Sequence, residues 1–586
     1  MKYIVYWCLM LIICWCCQEP KAKPAPIETF LDLKYGAFIH WTPATLIGKE
    51  VSFSRNAAIP ASAYDSLYLD FNPVEFNADE WVKTLKEAGF RYLVFVPKHH
   101  DGFSMWNTRL TDYNIMHSPF GRDIIKEIAN ACRKFDLPLC LYYSIVDYYQ
   151  PHCIPYDKRY VGEYGGPGYQ LSPGEEPDFN KYVSFMKGQL KELTENYGPF
   201  LAWWFDGGWQ PTWTKERGAD LEAYMRQLQP GILLNHRVGT AYRDSVYLPT
   251  WFPDEQNRTG DYAVLEVDMP RFNRTIPWEY TRPANGKSYS WTNNEYTDIA
   301  VWVDDLVKSA CGNGNFILGV SAPPTGRMEP KLIEKFKQMR LWLDQYGESL
   351  FETRGGPFKR TSRYGSTCRN NKIYLHLFEA DSLFQLPSLS APIEKVRMLN
   401  GGNAGFQQTD SALLIKINPY DFQLPVTILE LSITGDAQTL PVTGEIPINQ
   451  SVPVRSSNKK NSSDALSSDG DRSTAWTADH SSNEYWIEYD LGAEKKISRA
   501  LLFEGQEEGE LNAIRKAALQ IKTDTGWQTC KEIAAWGNGS PQFDEWPISV
   551  SVPEIRFDPV KARFVRLLIV RQTRAPVIHE FELYEY

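Results

Sequence analysis

Beyond its first 17 residues the chain never sets two cysteines in a Cys-x-x-Cys spacing. Cys8, Cys14, Cys16 and Cys17 crowd the start, whereas Cys132, Cys140, Cys153, Cys311, Cys368 and Cys530 are scattered. That distribution signals neither a zinc site nor a disulfide framework, and leaves room for one bridge in an oxidising compartment. Basic charge is scarce as well: 62 Lys and Arg face 72 Asp and Glu, a net charge of −10. Such a chain lacks the cationic groove that tracks phosphates, which argues against a nucleic-acid partner. The N-terminal apolar stretch, residues 3–17, is too short for a convincing membrane span.

Aromatic residues are the excess, at 14% with 19 Trp. Aromatic faces stack on the C–H faces of sugars and also fill cores, so this excess admits a carbohydrate ligand without requiring one. Hydrophobic residues at 43% and charged residues at 23% suit a buried core rather than disorder. The length of 586 residues predicts about two to four domains. Lys2, the apolar run and the polar, Pro-rich segment 18–26 have the layout of a secretory signal, taken as residues 1–17. An exported protein, periplasmic or at the cell surface, is the expectation. The cysteines closing the run leave two alternatives: a lipoprotein anchored to the membrane through a Cys near residue 17, or plain secretion. Trp15 and Cys16 stand where small residues normally precede a lipidated Cys.

From about residue 27 to 324, short apolar runs alternate with amphipathic stretches. The strand candidates are 36–41, 92–98, 139–144, 201–205, 231–235, 262–266, 288–292 and 316–320. Helical periodicity marks 78–88, 122–135, 179–197, 221–229 and 299–310, then 329–346 with Pro330 in its first turn. Alternating strands and helices predict an α/β fold, a (β/α)8 TIM-like barrel followed by C-terminal β-sandwich domains. The expected boundaries are 27–350 for the barrel, 351–445 for a small β-sandwich and 451–586 for a second. Segment 451–468, rich in Ser and Asn, reads as a linker or a domain-entry loop.

Polar residues give this barrel its meaning. His40, His99, His100, Ser144, Asp206, His236, Arg237 and Glu266 each fall at or just past the end of a strand candidate. A barrel gathers those ends on one face, where sites of this fold are built. Cleaving a glycosidic bond takes two carboxyl groups, one to attack or to activate water and one to protonate the leaving oxygen. Asp206 ends an aromatic run and precedes Gly207, which allows a sharp turn; a helix cap or loop Asp is the alternative. Glu266 and Glu279 compete for the proton-donor role, and an ion pair with Arg271, Arg274 or Arg282 is the rival for either. His40, His99 and His100 suit sugar hydroxyls better than a metal, because adjacent strand residues such as His99 and His100 point to opposite faces. Trp41, Trp106, Trp204 and Trp291 are candidates for stacking on sugar.

In this order, Phe38-Ile39-His40-Trp41, Lys98-His99-His100-Asp101-Gly102-Phe103 with Trp106, Leu141-Tyr142-Tyr143-Ser144, Trp204-Phe205-Asp206-Gly207, Asn235-His236-Arg237, the Glu266 segment and Trp278-Glu279 resemble the α-L-fucosidase family of glycoside hydrolases, family 29. The resemblance covers roughly 27–327. It implies an exo-acting α-L-fucosidase that releases terminal fucose from a fucosylated oligosaccharide or glycoconjugate by retaining double displacement. Asp206 would be the nucleophile and Glu266 the acid/base. His40, Glu50, His99, His100, Tyr142, Trp204, Arg237 and Trp291 would surround the fucosyl unit, with Glu279 structural behind it. No metal is implied in the catalytic site and no cofactor for catalysis. Three positions depart from the pattern: Thr42 where Gly is usual, Val51 after Glu50 where many members have Trp, and Gly319 where Asn is frequent. Another retaining glycosidase, or a non-catalytic glycan-binding protein on the same barrel, stays open.

Asp469-Gly470-Asp471, Thr474, Trp476, Trp486 and Asp490-Leu491-Gly492 resemble a discoidin-like (F5/8 type C) carbohydrate-binding module. Such modules often hold a structural Ca2+ through the Asp-Gly-Asp loop, whose oxygens suit a hard cation. A packing domain without ligand is the alternative.

Overall fold

Side-chain alternation along Ala202–Asp206 sets the architecture. Ala202 and Trp204 pack with one core and Trp203 and Phe205 with another, as the two faces of a pleated strand require. The computed structural model describes residues 26–585 apart from 56–57, 154–175, 244–245, 248–258, 267–268, 446, 461–462, 471–473, 480, 505, 508–509, 512–513, 534–541, 544–549, 552–553 and 572–574. The segment 1–17 expected to be a signal, with its four cysteines, lies outside the described residues, as does Asp471. The six described cysteines are all unpaired. No helix among the described residues is long and apolar enough to cross a membrane.

Eight parallel strands form the first domain: β1 (Tyr35–Ile39), β2 (Tyr92–Phe95), β3 (Leu139–Ser144), β4 (Ala202–Asp206), β5 (Leu233–Leu234), β6 (Ala263–Leu265), β7 (Trp278–Pro283) and β8 (Asn315–Val320). They are hydrogen-bonded in the order β5-β4-β3-β2-β1-β8-β7-β6. A parallel bridge between Asn235 and Tyr262 joins the two ends, and the His236 N–H donates to the Tyr262 carbonyl at 2.8 Å. The ring is closed, and the α/β barrel is the observed fold. Phe38, Tyr92, Val94, Cys140, Tyr142, Ala202, Trp204, Val264 and Ile317 fill its interior as a packed core.

Helices sheathe the outside at Ala78–Glu87, Ile124–Phe135, Phe179–Tyr197, Lys215–Leu228, Ile299–Cys311 and Pro330–Tyr346. Asn77, Asp123, Asp178, Thr214 and Asp298 each cap one by accepting a first-turn N–H, an interaction whose loss typically costs about 1 kcal/mol. The expected seventh strand is corrected. Residues 288–292 form a loop, and the stave is Trp278–Pro283, whose Glu279 and Arg282 interrupt the apolar run that marks its neighbours.

Antiparallel sheets of five and three strands follow between Arg354 and Ile433, packed around Leu375, Phe384, Ile415 and Leu429. A third antiparallel unit is built on the long strands Glu484–Glu504 and Ile555–Arg571. Within segment 451–468, Val454–Ser456 pairs with Glu484–Glu504.

Candidate active site

The register that buries Trp204 also aims Asp206, two residues on, at the mouth of the barrel. His40 follows Phe38, Ser144 follows Tyr142 and Glu266 follows Val264 by the same step. Gly207 then turns the chain away at φ 90°, and a Cβ there would lie 2.7 Å from the Val146 nitrogen, so only glycine fits.

Arg237 organises the two expected catalytic acids. Its Nη1 donates to Asp206 Oδ1 at 3.0 Å and also to Glu266 Oε1. The residues before it aim it. The Asn235 amide pairs with both the N–H and the C=O of Phe205, at 2.8 and 2.9 Å, gripping β4. His236 Nδ1 accepts the Val264 N–H at 3.2 Å, gripping β6. Asn-His-Arg is therefore a clamp between the strand of each acid.

Asp206 is buried and also accepts from the Tyr142 hydroxyl at 3.1 Å. Burial pushes its carboxyl above the usual range, opposed by Arg237, the Gly207 N–H and Tyr142. Glu266 is exposed at the rim. Glu279 lies deep in the barrel, where burial pushes its carboxyl up to about 7. It accepts from the Tyr92 hydroxyl and, at 3.2 Å, from the Trp204 indole. It stands beneath the aromatic floor, not beside Asp206, and its partners are not the arginines considered as rivals; Arg282 pairs with Asp305.

The histidines differ from expectation. β2 ends at Phe95, ahead of Pro97, so His99 and His100 lie past the strand and strict alternation no longer separates them. Their ring centroids are 4.2 Å apart. His99 stacks on Tyr142 at 5.1 Å, and Ser52 Oγ lies 2.7 Å from its Nδ1. His40 packs 5.5 Å from His99, and its Nδ1 has no hydrogen-bond partner among the described residues. Burial holds all three well below the usual histidine range, so they are neutral. Among the described residues no three His, Cys, Asp or Glu side chains gather as a metal site would require.

Glu50 and Trp291 are each held by hydrogen bonds of their own. The Glu50 carboxylate accepts the N–H groups of Tyr289 and Ser290 at 2.9 and 3.2 Å, and the Trp291 indole donates to Glu329 at 3.0 Å. Trp41 and Trp106 are fully buried in the outer core and do not face the site. Two further residues went unnoticed in the sequence. Tyr289 lies 5.0 Å from His40 and occupies the space a side chain at Gly319 would need. Phe53 is 37% exposed and set edge-on to His100 at 5.6 Å. Ser52, at φ 63°, turns Val51 into the core and Phe53 outward.

Residues 17–348, more than half the chain, match the family model described as alpha-L-fucosidase. The chain belongs to the α-L-fucosidase family. It is a glycoside hydrolase of that family, and residues 448–583 match a second model, the F5/8 type C domain. An α-L-fucosidase of Dictyostelium discoideum is 22% identical over 425 residues, 65% of this chain and 85% of that protein. The structure of α-L-fucosidase isoenzyme 1 from Paenibacillus thiaminolyticus is similar at 27% identity and TM-score 0.59, covering 70% of this chain and 98% of that one. An α-L-fucosidase from Bacteroides thetaiotaomicron, trapped as a covalent intermediate with 2-fluoro-fucosyl fluoride, shares the fold at 21% identity and TM-score 0.61, covering 70% of this chain and 97% of that one.

In the C-terminal module of this fucosidase, Glu580 is buried and accepts the Gly470 N–H at 2.9 Å. Burial and the adjoining Asp469 push its carboxyl up to about 8. Asp469 accepts from the Thr474 hydroxyl at 2.8 Å. Glu580, on the strand Val577–Glu585, thus adjoins the loop that carries Asp469.

Proposed function

We propose that this fucosidase works by retaining double displacement, with Asp206 as nucleophile and Glu266 as acid/base. The observation carrying the reading is the shared Arg237 nitrogen. Two hydrogen bonds to one atom keep the facing carboxylate oxygens within about 6 Å. That bound accommodates the roughly 5–5.5 Å separation of a double-displacement pair. Glu266 gives its proton to the leaving oxygen as Asp206 attacks C1 and the C1–O bond breaks, leaving a fucosyl ester. Glu266 then takes a proton from water, whose oxygen displaces Asp206 and releases fucose with its anomeric configuration retained. The covalent intermediate trapped in the Bacteroides relative supports the same course here.

The neutral histidines recognise ring hydroxyls. Phe38, Tyr142 and Trp204, with ring centroids 5.2–6.0 Å apart, form an apolar corner for the C5 methyl group. Terminal fucose on an oligosaccharide or glycoconjugate is the substrate. The segment 1–17 exports the chain, to the periplasm or cell surface, with a lipid anchor or without. A calcium ion would be held through the Asp469-Gly470-Asp471 loop, beside which Glu580 lies.

Incubation with 2-fluoro-fucosyl fluoride, followed by peptide mapping, tests the mechanism. A fucosyl adduct on Asp206 is expected. Turnover without an adduct, or an adduct elsewhere, overturns the assignment.

A further inference from the structure

Ser144, the last residue of β3, is fully buried and has one hydroxyl proton. It donates that proton to the Val146 carbonyl, which has none to return. His100 Nδ1 lies 2.5 Å from the same Oγ. With the serine proton committed, the imidazole must be the donor. His100 is neutral and carries a single ring proton, so Nδ1 holds it and Nε2 is a bare lone pair.

That lone pair faces Asp206 Oδ2 across 3.6 Å. The same oxygen already receives the Tyr142 hydroxyl, and an ionised Asp206 has no proton to offer. Two acceptors therefore confront each other, an arrangement that calls for a donor between or beside them. Attack by Asp206 brings C1 of the sugar to this place. Of the two ring atoms bonded to C1, the ring oxygen carries no hydrogen and C2 carries a hydroxyl. The 2-hydroxyl is thus the sugar donor nearest the nucleophile.

We propose that Ser144 is a positioning residue: it fixes His100 as the Nδ1–H tautomer, so that His100 Nε2 accepts a hydrogen bond from the 2-hydroxyl of the fucosyl unit. The inference rests on Asp206 as nucleophile and adds how the adjoining hydroxyl is read. A bond to the 2-hydroxyl strengthens as positive charge builds at C1, so its loss falls on the transition state.

The test compares an aryl α-L-fucoside with its 2-deoxy analogue on wild-type enzyme, Ser144→Ala and Ser144→Thr. The readout is the ratio of the two kcat/KM values on one preparation, which does not depend on how much of the variant folds. Ser144→Ala should lower that ratio by about tenfold or more, with the loss on the fucoside alone. Ser144→Thr keeps the hydroxyl and should hold the ratio near wild type. A ratio unmoved by Ser144→Ala, or lowered equally by both variants, overturns the proposal. Wild-type enzyme releasing no aryl group from the fucoside would instead defeat the catalytic reading, so the two failures are distinct.

Discussion

The Trp204 indole donates to Glu279 at 3.2 Å, so the aromatic floor of the fucosidase site rests on a carboxyl group sealed inside the barrel. That carboxyl titrates at about 7, against 4.5 for a free glutamate. Between those two values the folded protein keeps a proton that the unfolded chain has released. Stability therefore falls as pH rises through that window, by something of order 3 kcal/mol. Glu279→Gln removes this slope. Melting temperatures from pH 4.5 to 8 should decline less for the variant than for wild type, and parallel curves would falsify the account.

Arg237 draws the Asp206 carboxyl downward against burial. Arg237→Ala leaves the proposed nucleophile buried without that cation, so the acid limb of the kcat/KM profile should move to higher pH, alongside a loss of at least about 100-fold at the optimum. An unmoved limb would mean that a different group sets it.

Glu266 is proposed to protonate the leaving oxygen, a service that matters most for poor leaving groups. Glu266→Gln should slow a fucosyl oligosaccharide by roughly 100- to 10,000-fold. A dinitrophenyl fucoside, whose leaving group needs no proton, should keep a much faster first step, visible as a burst. Equal losses on both substrates would contradict the role.

Gly319 faces the site from β8, and a Cβ there would meet Tyr289 Cδ1 at 2.5 Å. Gly319→Asn should therefore destabilise the protein by about 1–3 kcal/mol and raise KM. The second change Tyr289→Ala should recover much of the stability. Additive losses in the double variant would show that the two positions do not share this space.

Calcium should raise the melting temperature of the C-terminal unit, by about 3 kcal/mol in free energy at 100 times its Kd. A chelator should reverse the gain, and Glu580→Gln should abolish the response. Indifference of the wild-type chain to both would remove calcium from the account.

Much of the barrel was legible because its staves alternate cleanly. In Ala202–Asp206 the spacing of Ala202, Trp204 and Asp206 already states which side chains share the interior. The helices were legible through their periodicity and caps, although Lys215–Leu228 begins six residues ahead of its apolar signal at Leu221. Trp278–Pro283 was missed because an interior carboxylate, satisfied by Tyr92 and Trp204 from other strands, breaks the hydrophobic pattern without breaking the strand. The run 288–292 misled for the opposite reason. It looks like a strand, yet the N–H groups of Tyr289 and Ser290 are taken by the Glu50 side chain and that of Ser288 by Asn285. No local pattern could reveal that Asn235 and His236 grip neighbouring strands, since those partners are 30 and 28 residues away. Phe53 was hidden by the left-handed turn at Ser52, which exchanges the inward and outward positions around it.

The cylinder is knit unevenly. Asp206 sits on a strand four of whose residues register with β3, while Arg237 and Glu266 follow the two-residue β5 and the three-residue β6, joined by one bridge. Amide hydrogens along that seam should exchange with solvent sooner than those of β3 and β4. Drift in this lineage can consequently re-aim Glu266, the proposed proton donor, and its arginine to suit new leaving groups while Asp206 stays where it is.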